Sequence, residues 1–266
     1  MRKFDWATIQ VLTLRELKRF FRQKSRIAGA LMQPILFWII LGFGFRSSFQ
    51  MGVGSSVDYV QYFFPGVISM MILFTAIFST MSIIEDRREG FLQGVLAAPS
   101  GRHALVIGKV LGGSLVSLVQ VALFLLLAPL AKFSYGTISW IPLFTILFFT
   151  AVFLTSFGFF LAWWTNSVQG YHAIMSVVLM PMWLLSGAVF PIDPSIKILS
   201  YLSYLNPMSY SADAIRMALY GMQPPTQTLR FSLGYPRELL TVCVFVAIAM
   251  TWAIFICQRT KQASAT

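Results

Sequence analysis

Charge is what this chain has least of. Asp, Glu, Lys and Arg make up 11% of its 266 residues, against about 25% in a soluble domain. Hydrophobic residues reach 57% and the mean hydropathy is +0.74. With repeated apolar runs of about 20 residues, this excludes a soluble domain and points to an integral membrane protein. Cysteine is nearly absent too. Cys243 and Cys257 both lie in the last apolar run, roughly 21 Å apart along a helix, too far to bridge. They read as small apolar residues. The two histidines, His103 and His172, are far apart in sequence and give no metal-ligand spacing. No Gly-x-x-x-x-Gly-Lys-Ser/Thr run occurs: Gly108-Lys109 is followed by Val110 and has no glycine at the required offset. The chain does not hydrolyse ATP by that route. No charge falls deep in an apolar run. A buried charge costs a few kcal/mol and marks an ion or proton path, so a proton-coupled secondary transporter and an enzyme with an intramembrane acid/base site both lose support. Lys109 reads as a span-end lysine that snorkels, and His103, beside Arg102, as a solvated interface residue.

What charge there is sits unevenly. The net charge is +11, which by itself would suit a nucleic-acid binder. Eight basic residues, however, precede the first long apolar run: Arg2, Lys3, Arg15, Lys18, Arg19, Arg22, Lys24 and Arg26. There is no separate basic domain, so no nucleic-acid partner is expected; the charge sets topology and meets anionic membrane lipid. The first apolar run follows this polar stretch and reads as a span, not a signal peptide.

Six spans are predicted, at 27–45, 63–84, 104–130, 140–164, 172–190 and 239–257. An even number puts both termini on one side. The segments on that side would hold fourteen basic residues: the eight above with Arg87, Arg88, Arg102, Lys109, Arg259 and Lys261. The other loops would hold six: Arg46, Lys132, Lys197, Arg216, Arg230 and Arg237. The positive-inside rule then places both termini in the cytoplasm. One membrane domain, 1–266, accounts for the whole chain. No repeat or low-complexity tract interrupts it, and the tail after Cys257 is short and polar.

Two connecting segments carry pattern. Residues 5–26, with a helix expected at 4–24, place Arg15, Lys18, Arg19, Arg22 and Arg26 on one helical arc, opposite Trp6, Ile9, Leu14, Leu17, Phe20 and Phe21. Val11, Leu12 and Lys24 interrupt the pattern. A basic face opposite an aromatic-aliphatic one predicts a helix in the membrane interface. Residues 192–221 are too apolar for a free loop and too interrupted to span. Two short helices broken at Asn206-Pro207 fit them. Such backbone lies at membrane depth only where protein or a watery cavity satisfies it, so a re-entrant hairpin is expected on the outer side. Asp193, Asp213, Arg216 and Glu238 are the titratable groups there, and read as a solvated or hairpin-stabilising set.

The connection between the second and third spans is the most informative stretch. Glu85, Asp86, Arg87, Arg88 and Glu89 precede Gly90. Phe91, Leu92, Val95 and Leu96 then form one apolar stripe on a short helix. Pro99 ends it, and Ser100-Gly101 turns the chain. The residues alone leave two readings open: a passive amphipathic helix on lipid, or a coupling helix at 87–98 seated in a groove of a soluble ATPase.

This arrangement resembles the permease of an ATP-binding cassette exporter of the type-2 (type V exporter) family. The matching residues are Phe64-Pro65-Gly66, the run Glu85 to Gly90, Leu96-Ala97-Ala98-Pro99-Ser100-Gly101-Arg102, and Leu205-Asn206-Pro207 with Tyr210 and Arg216. The acidic-basic-glycine run with Leu-x-x-Pro-Ser-Gly-Arg is most similar to the drug and nodulation-factor branch. The resemblance implies an all-α membrane fold of six spans in a bacterial inner membrane. It implies two permease copies, a homodimer, around a central path, and two ATP-binding cassette subunits on separate chains that carry ATP and Mg. This chain would bind no cofactor or metal and would not itself be an enzyme. Glu85, Asp86, Arg87, Arg88, Glu89, Phe91, Leu92, Val95, Leu96 and Pro99 would couple to the ATPase. Spans 1, 2 and 5 would line the path, with Gln33, Phe37, Ser69, Phe74, Met175, Met180 and Trp183 as lining residues and flexing at Pro34, Pro65 and Pro181. Asn206, Pro207, Tyr210 and Arg216 would mark the hairpin. A path rich in Phe, Met and Leu suits a hydrophobic or amphiphilic cargo: a drug, lipid or lipid-linked glycan. The rival readings are an ATP-independent channel or lipid scramblase, and a membrane enzyme acting on lipid.

Overall fold

A computed structural model describes residues 3–45, 57–192, 196–224 and 234–259. Among them the chain is helical and has no strand. α1 (Lys3–Arg22) breaks at Gln23, and α2 (Lys24–Gly44) follows at once. α3 (Tyr59–Arg88) is longer than the expected second span at both ends. Asp58 caps its start by accepting from the Gln61 N–H at 3.1 Å. α4 (Phe91–Ala97) is the short connecting helix, and α5 (Arg102–Leu125) the third span. The expected helix to residue 130 stops early because Pro129 cannot continue it. The chain tightens instead into a 3-10 turn, Ala128–Ala131.

α6 (Trp140–Trp164) matches the fourth expected span. α7 (Val168–Leu184) starts four residues earlier than expected and is 17 residues long, about 26 Å. α8 (Lys197–Tyr204) and α9 (Pro207–Leu219) form the broken hairpin, and α10 (Tyr235–Arg259) the last span. Among the described residues five helices are long and apolar enough to cross a membrane: α2 from Ile27, α3, α5, α6 and α10, with α7 the shorter apolar one. Arg2, Arg46, Asp193, Arg230 and Lys261 fall outside the described residues.

α3 is the central post. It packs against α2, α5, α6, α7 and α9, and most of its residues are buried. α2 and α10 are peripheral, with only 17% of their apolar windows buried. α9 is the reverse case: every one of its 13 residues is buried, though it spans nothing. Asn206 caps it, accepting from the Met208 N–H at 3.0 Å, and Pro207 takes the first helical position, where a missing N–H costs nothing. Tyr210 ties α9 to α8 by donating to the Tyr204 carbonyl at 2.8 Å.

The stretch Leu185–Phe190 was expected to be helix. It unwinds after Pro181, with Gly187 at φ +76°. The carbonyls freed there find donors. Tyr62 and Arg216 donate to the Gly187 carbonyl at 2.7 and 3.2 Å, and Tyr59 donates to that of Val189 at 3.0 Å. Irregular backbone inside a membrane bundle survives only with such partners. Gly66 on α3 makes the approach possible, because a Cβ there would overlap the Ala188 carbonyl. Gly66→Val should therefore lower the thermal midpoint of the purified chain, at a cost of about 1–3 kcal/mol for overpacking. Gly29→Val, where nothing lies within 4 Å of the new Cβ, should leave it nearly unchanged; fluorescence-detected melting in detergent compares the two.

Candidate functional site

The α3–α4–α5 connection is bolted to helix ends around it. Arg87 donates to the Trp163 carbonyl at 2.9 Å, and Arg88 to that of Asn166 at 3.1 Å. These acceptors lie at the end of α6, where the last carbonyls lack intrahelical partners. Arg102 does the same for α10, donating to the Cys257 carbonyl at 2.6 Å. Gly90, at φ +77°, reverses the chain between α3 and α4, a conformation that costs glycine little. The helix expected at 87–98 is thus two pieces: Arg87 and Arg88 finish α3, and α4 begins at Phe91.

The apolar stripe of α4 faces its own bundle. Leu92 is 3% exposed, and Phe91, Val95 and Leu96 pack partly buried against the core. Burial of the stripe stabilises the turn, so it is not the free docking face that the sequence suggested. The outward face is Gln93, Gly94, Ala97 and Ala98, followed by exposed Pro99. A groove of about 750 Å³ beside it is lined by Arg87, Gln93, Leu96, Trp164 and Arg259.

Behind the turn lies a buried charge network. Lys109 of α5 is 3% exposed. Its Nζ donates to Glu16 Oε1 at 2.5 Å, to Ser82 Oγ at 3.1 Å and to Asp86 Oδ2 in a short ion pair. Asp86 also takes both guanidinium nitrogens of Arg15, at 2.9 and 2.7 Å. That hydrogen-bonded carboxylate raises the Arg15 guanidinium above its ordinary pKa. Arg19 pairs with Glu85 at 2.5 Å. Three cations and three anions from α1, α3 and α5 therefore balance, with Lys109, Glu16 and Asp86 buried and Arg15, Arg19 and Glu85 partly exposed at the rim. Lys109 does not snorkel; it is the centre of the set.

α1 advances in step with α5 to reach this position. Asp5 accepts from the Gly101 N–H at 2.8 Å and lies 3.4 Å from His103 Nε2, so His103 is paired to a buried carboxylate rather than simply solvated. A Cβ on Gly108 would come within 2.9 Å of the Leu12 Cβ, and one on Gly112 within 2.8 Å of the Glu16 Cβ. The two glycines let the helices approach closely enough for Glu16 to meet Lys109. Asp5, Ile9, Leu12, Glu16 and Phe20 form the inward stripe of α1. Trp6, Leu14 and Phe21, expected on the same arc as Ile9 and Phe20, are exposed, and Leu12, which interrupted the pattern, is buried.

The path residues separate. Phe74, Met175 and Met180 meet in a concavity of about 90 Å³ between α3 and α7, with Leu73, Phe78 and His172. Ser69 and Trp183 are buried beside them: Ser69 donates to the Pro65 carbonyl at 3.2 Å, and Trp183 to that of Gly66 at 3.0 Å. Gln33 and Phe37 lie on the exposed face of α2, outside that concavity. Arg216 is buried in α9. It pairs with Asp213 at 2.8 Å and lies 4.6 Å over the Tyr62 ring. Asp213, Arg216 and Glu238 are all buried, so the titratable set at this end is not a solvated one.

Pattern reading passed over Asp5, Glu16 and the partner role of Lys109. The signal was present. Asp5 and Glu16 share the face of Ile9, Leu12 and Phe20, and a lysine inside an apolar run requires a carboxylate nearby.

Comparison with known proteins fits this architecture. A family described as "ABC-2 type transporter" matches residues 7–220. The ycf38 transport permease of Cyanophora paradoxa is 27% identical over 206 residues, covering 75% of this chain and 71% of that protein. Nodulation protein J of Neorhizobium galegae is 25% identical over 231 residues, 85% of each. The multidrug ABC permease YbhR of Escherichia coli K12 is 25% identical over 163 residues, 59% of this chain and 43% of the relative.

Removing one partner from a buried ion-pair set costs about 3–5 kcal/mol, because the remaining charge is stranded. Lys109→Met should destabilise the chain on that scale. Lys109→Met combined with Glu16→Leu and Asp86→Asn should melt higher than Lys109→Met alone. A triple variant that melts lower than the single one in detergent would contradict the network.

Proposed function

The chain belongs to the ABC-2 type transporter family as a membrane subunit, and from that premise we propose that it is the permease of an ATP-driven exporter moving a hydrophobic or amphiphilic substrate. Two copies form the path, and a separate ATP-binding cassette subunit docks under each. ATP and Mg belong to that subunit. The α4 end is cytoplasmic, both termini lie there, and the membrane is a bacterial inner membrane.

The observation that carries this reading is the anchoring of α4. A short helix that pushed on nothing would not need three arginines on neighbouring helix ends and a buried charge network behind it. Force applied to Gln93, Gly94, Ala97 and Ala98 passes into α3 through the Gly90 turn and into α5 through Gly101. It passes to α1 through Arg15, which stacks 3.8 Å over the Phe91 ring. The small outward residues let a partner's surface come close. At the bilayer depth of α3 and α7, the Phe74–Met175–Met180 concavity offers apolar, polarisable surface, suited to an amphiphile rather than an ion. The name of one relative, a multidrug ABC permease, supports such cargo.

The test is co-purification in mild detergent with identification of what accompanies the chain and an ATPase assay. A subunit carrying a Walker A motif should be retained. Gly94→Trp should release it while leaving the melting of the permease unchanged, because nothing lies within 4 Å of a Cβ there. Leu92→Asp should instead lower the melting of the chain itself. A chain that purifies without any nucleotide-binding partner, yet conducts solutes or scrambles lipid, would replace this reading with a channel or scramblase.

A further inference from the structure

A cavity of about 20 Å³ lies where α1, α2, α3 and α5 meet. Thr75 and Ser79 of α3, with Val116 and Gln120 of α5, place it deeper in the bundle than Asp86 and Lys109. Three of its polar side chains have an unused end. Glu16 gives Oε1 to Lys109 Nζ at 2.5 Å and to Ser82 Oγ at 3.5 Å. Its Oε2 has no hydrogen bond among the described residues. Ser79 accepts from Ser82 Oγ at its backbone carbonyl, at 2.6 Å, while its own hydroxyl has no partner among the described residues. Gln120 meets Thr75 Oγ1 with one end of its amide, and the other end has no partner among the described residues. Glu16, Ser79 and Gln120 are 5, 7 and 2% exposed. Buried polar groups left over in this way are met by ordered water in folded proteins.

Size and charge decide what fits. A cavity holds one water when it offers about 10–15 Å³ and about two to four polar partners. This one offers about 20 Å³ and three partners. An acyl chain would leave all three polar ends unmet, at the cost of burying them dry. A cation would add charge to a set that is already neutral, since Lys109, Arg15 and Arg19 balance Glu16, Asp86 and Glu85. Among the described residues no group of three His, Cys, Asp or Glu side chains is placed to hold a metal. A small neutral molecule that both donates and accepts satisfies every group.

We propose that this cavity binds one water molecule, which donates to Glu16 Oε2, hydrogen-bonds the Ser79 hydroxyl and the unused end of the Gln120 amide, and so joins α1 to α3 and α5. Glu16 then has a partner on each oxygen, lysine on one and water on the other. Phe20, Ala30 and Val116 form the apolar side of the site. Gly113 keeps Ser79 in position, because a Cβ there would come within 2.5 Å of the Ser79 Oγ. The site needs neither an ATPase nor a cargo, and stands apart from the transport reading.

The experiment is hydroxyl-radical footprinting of the full chain in detergent. A brief X-ray pulse splits water, side chains beside a bound water are oxidised, and mass spectrometry reads the rate at each phenylalanine. Phe20 is 4% exposed and lines the cavity, whereas Phe159 is 0% exposed and does not. Phe20 should be labelled faster than Phe159 in the wild type. Ser79→Ala with Gln120→Leu removes two of the three partners. Phe20 labelling should then fall to the Phe159 level, while Phe21, 55% exposed, keeps its rate and reports that α1 is still folded. Phe20 labelled no faster than Phe159 in the wild type would overturn the proposal without any variant. Labelling that persists in the double variant would overturn it too, as bulk water entering through an opening. Exchanging choline chloride for sodium chloride should change neither labelling nor the thermal midpoint. A sodium-dependent rise in the midpoint with loss of Phe20 labelling would replace the water with a cation.

Discussion

A buried lysine cannot stand alone in a membrane bundle, and Lys109 sets the terms for one end of this molecule. Its ammonium is held by Glu16 from α1 and Asp86 from α3. Meeting those carboxylates forces α1 close to α5, which only Gly108 and Gly112 permit. With α1 in place, Arg15 and Arg19 reach over Asp86 and Glu85, and Asp5 caps the start of α5. Such a set adds little net stability compared with apolar packing, because desolvation offsets most of the attraction. What it supplies is geometry: each charge is satisfied in one arrangement of the three helices, and a shift of a single turn would strand several at once.

The opposite end solves a related problem with neutral groups. Between α7 and α8 the backbone unwinds, and its carbonyls would be costly in lipid. Tyr59, Tyr62 and Arg216 supply donors, and α9 folds into the bundle to bring Arg216 there. The central post α3 serves both ends, with tyrosines at its start and carboxylates at its finish. Its polar residues at each end are committed to fixed partners, while Phe74 and Phe78, near its middle, are only partly buried and line the concavity against α7.

Much of the fold was legible because a bilayer imposes long apolar runs. The helix Trp140–Trp164 coincides with the fourth predicted run, and the break at Asn206-Pro207 followed from proline geometry and a capping side chain. Boundaries failed where tertiary contacts overrode local pattern. α5 stopped at Leu125 ahead of Pro129, and α7 gave up its last turns because α3 and α9 satisfied the freed carbonyls. Direction was the harder problem. The stripe of α4 and the two arcs of α1 were visible as periodicity, but periodicity does not say whether an apolar face meets lipid, a partner or its own bundle. Leu92 and Leu12 both turned inward. Glu16 and Lys109 are 93 residues apart, and no local window joins them.

In the proposed exporter, α1, the end of α3, α4 and the start of α5 act as one rigid body through which force on α4 enters the bundle. Spin labels at Gln10 on α1 and Gln93 on α4, both exposed, allow a direct distance measurement in the assembled transporter with and without ATP. A single narrow distance that does not change with nucleotide is expected. A distance that shifts or splits when ATP binds, with α1 sliding against α4, would contradict it.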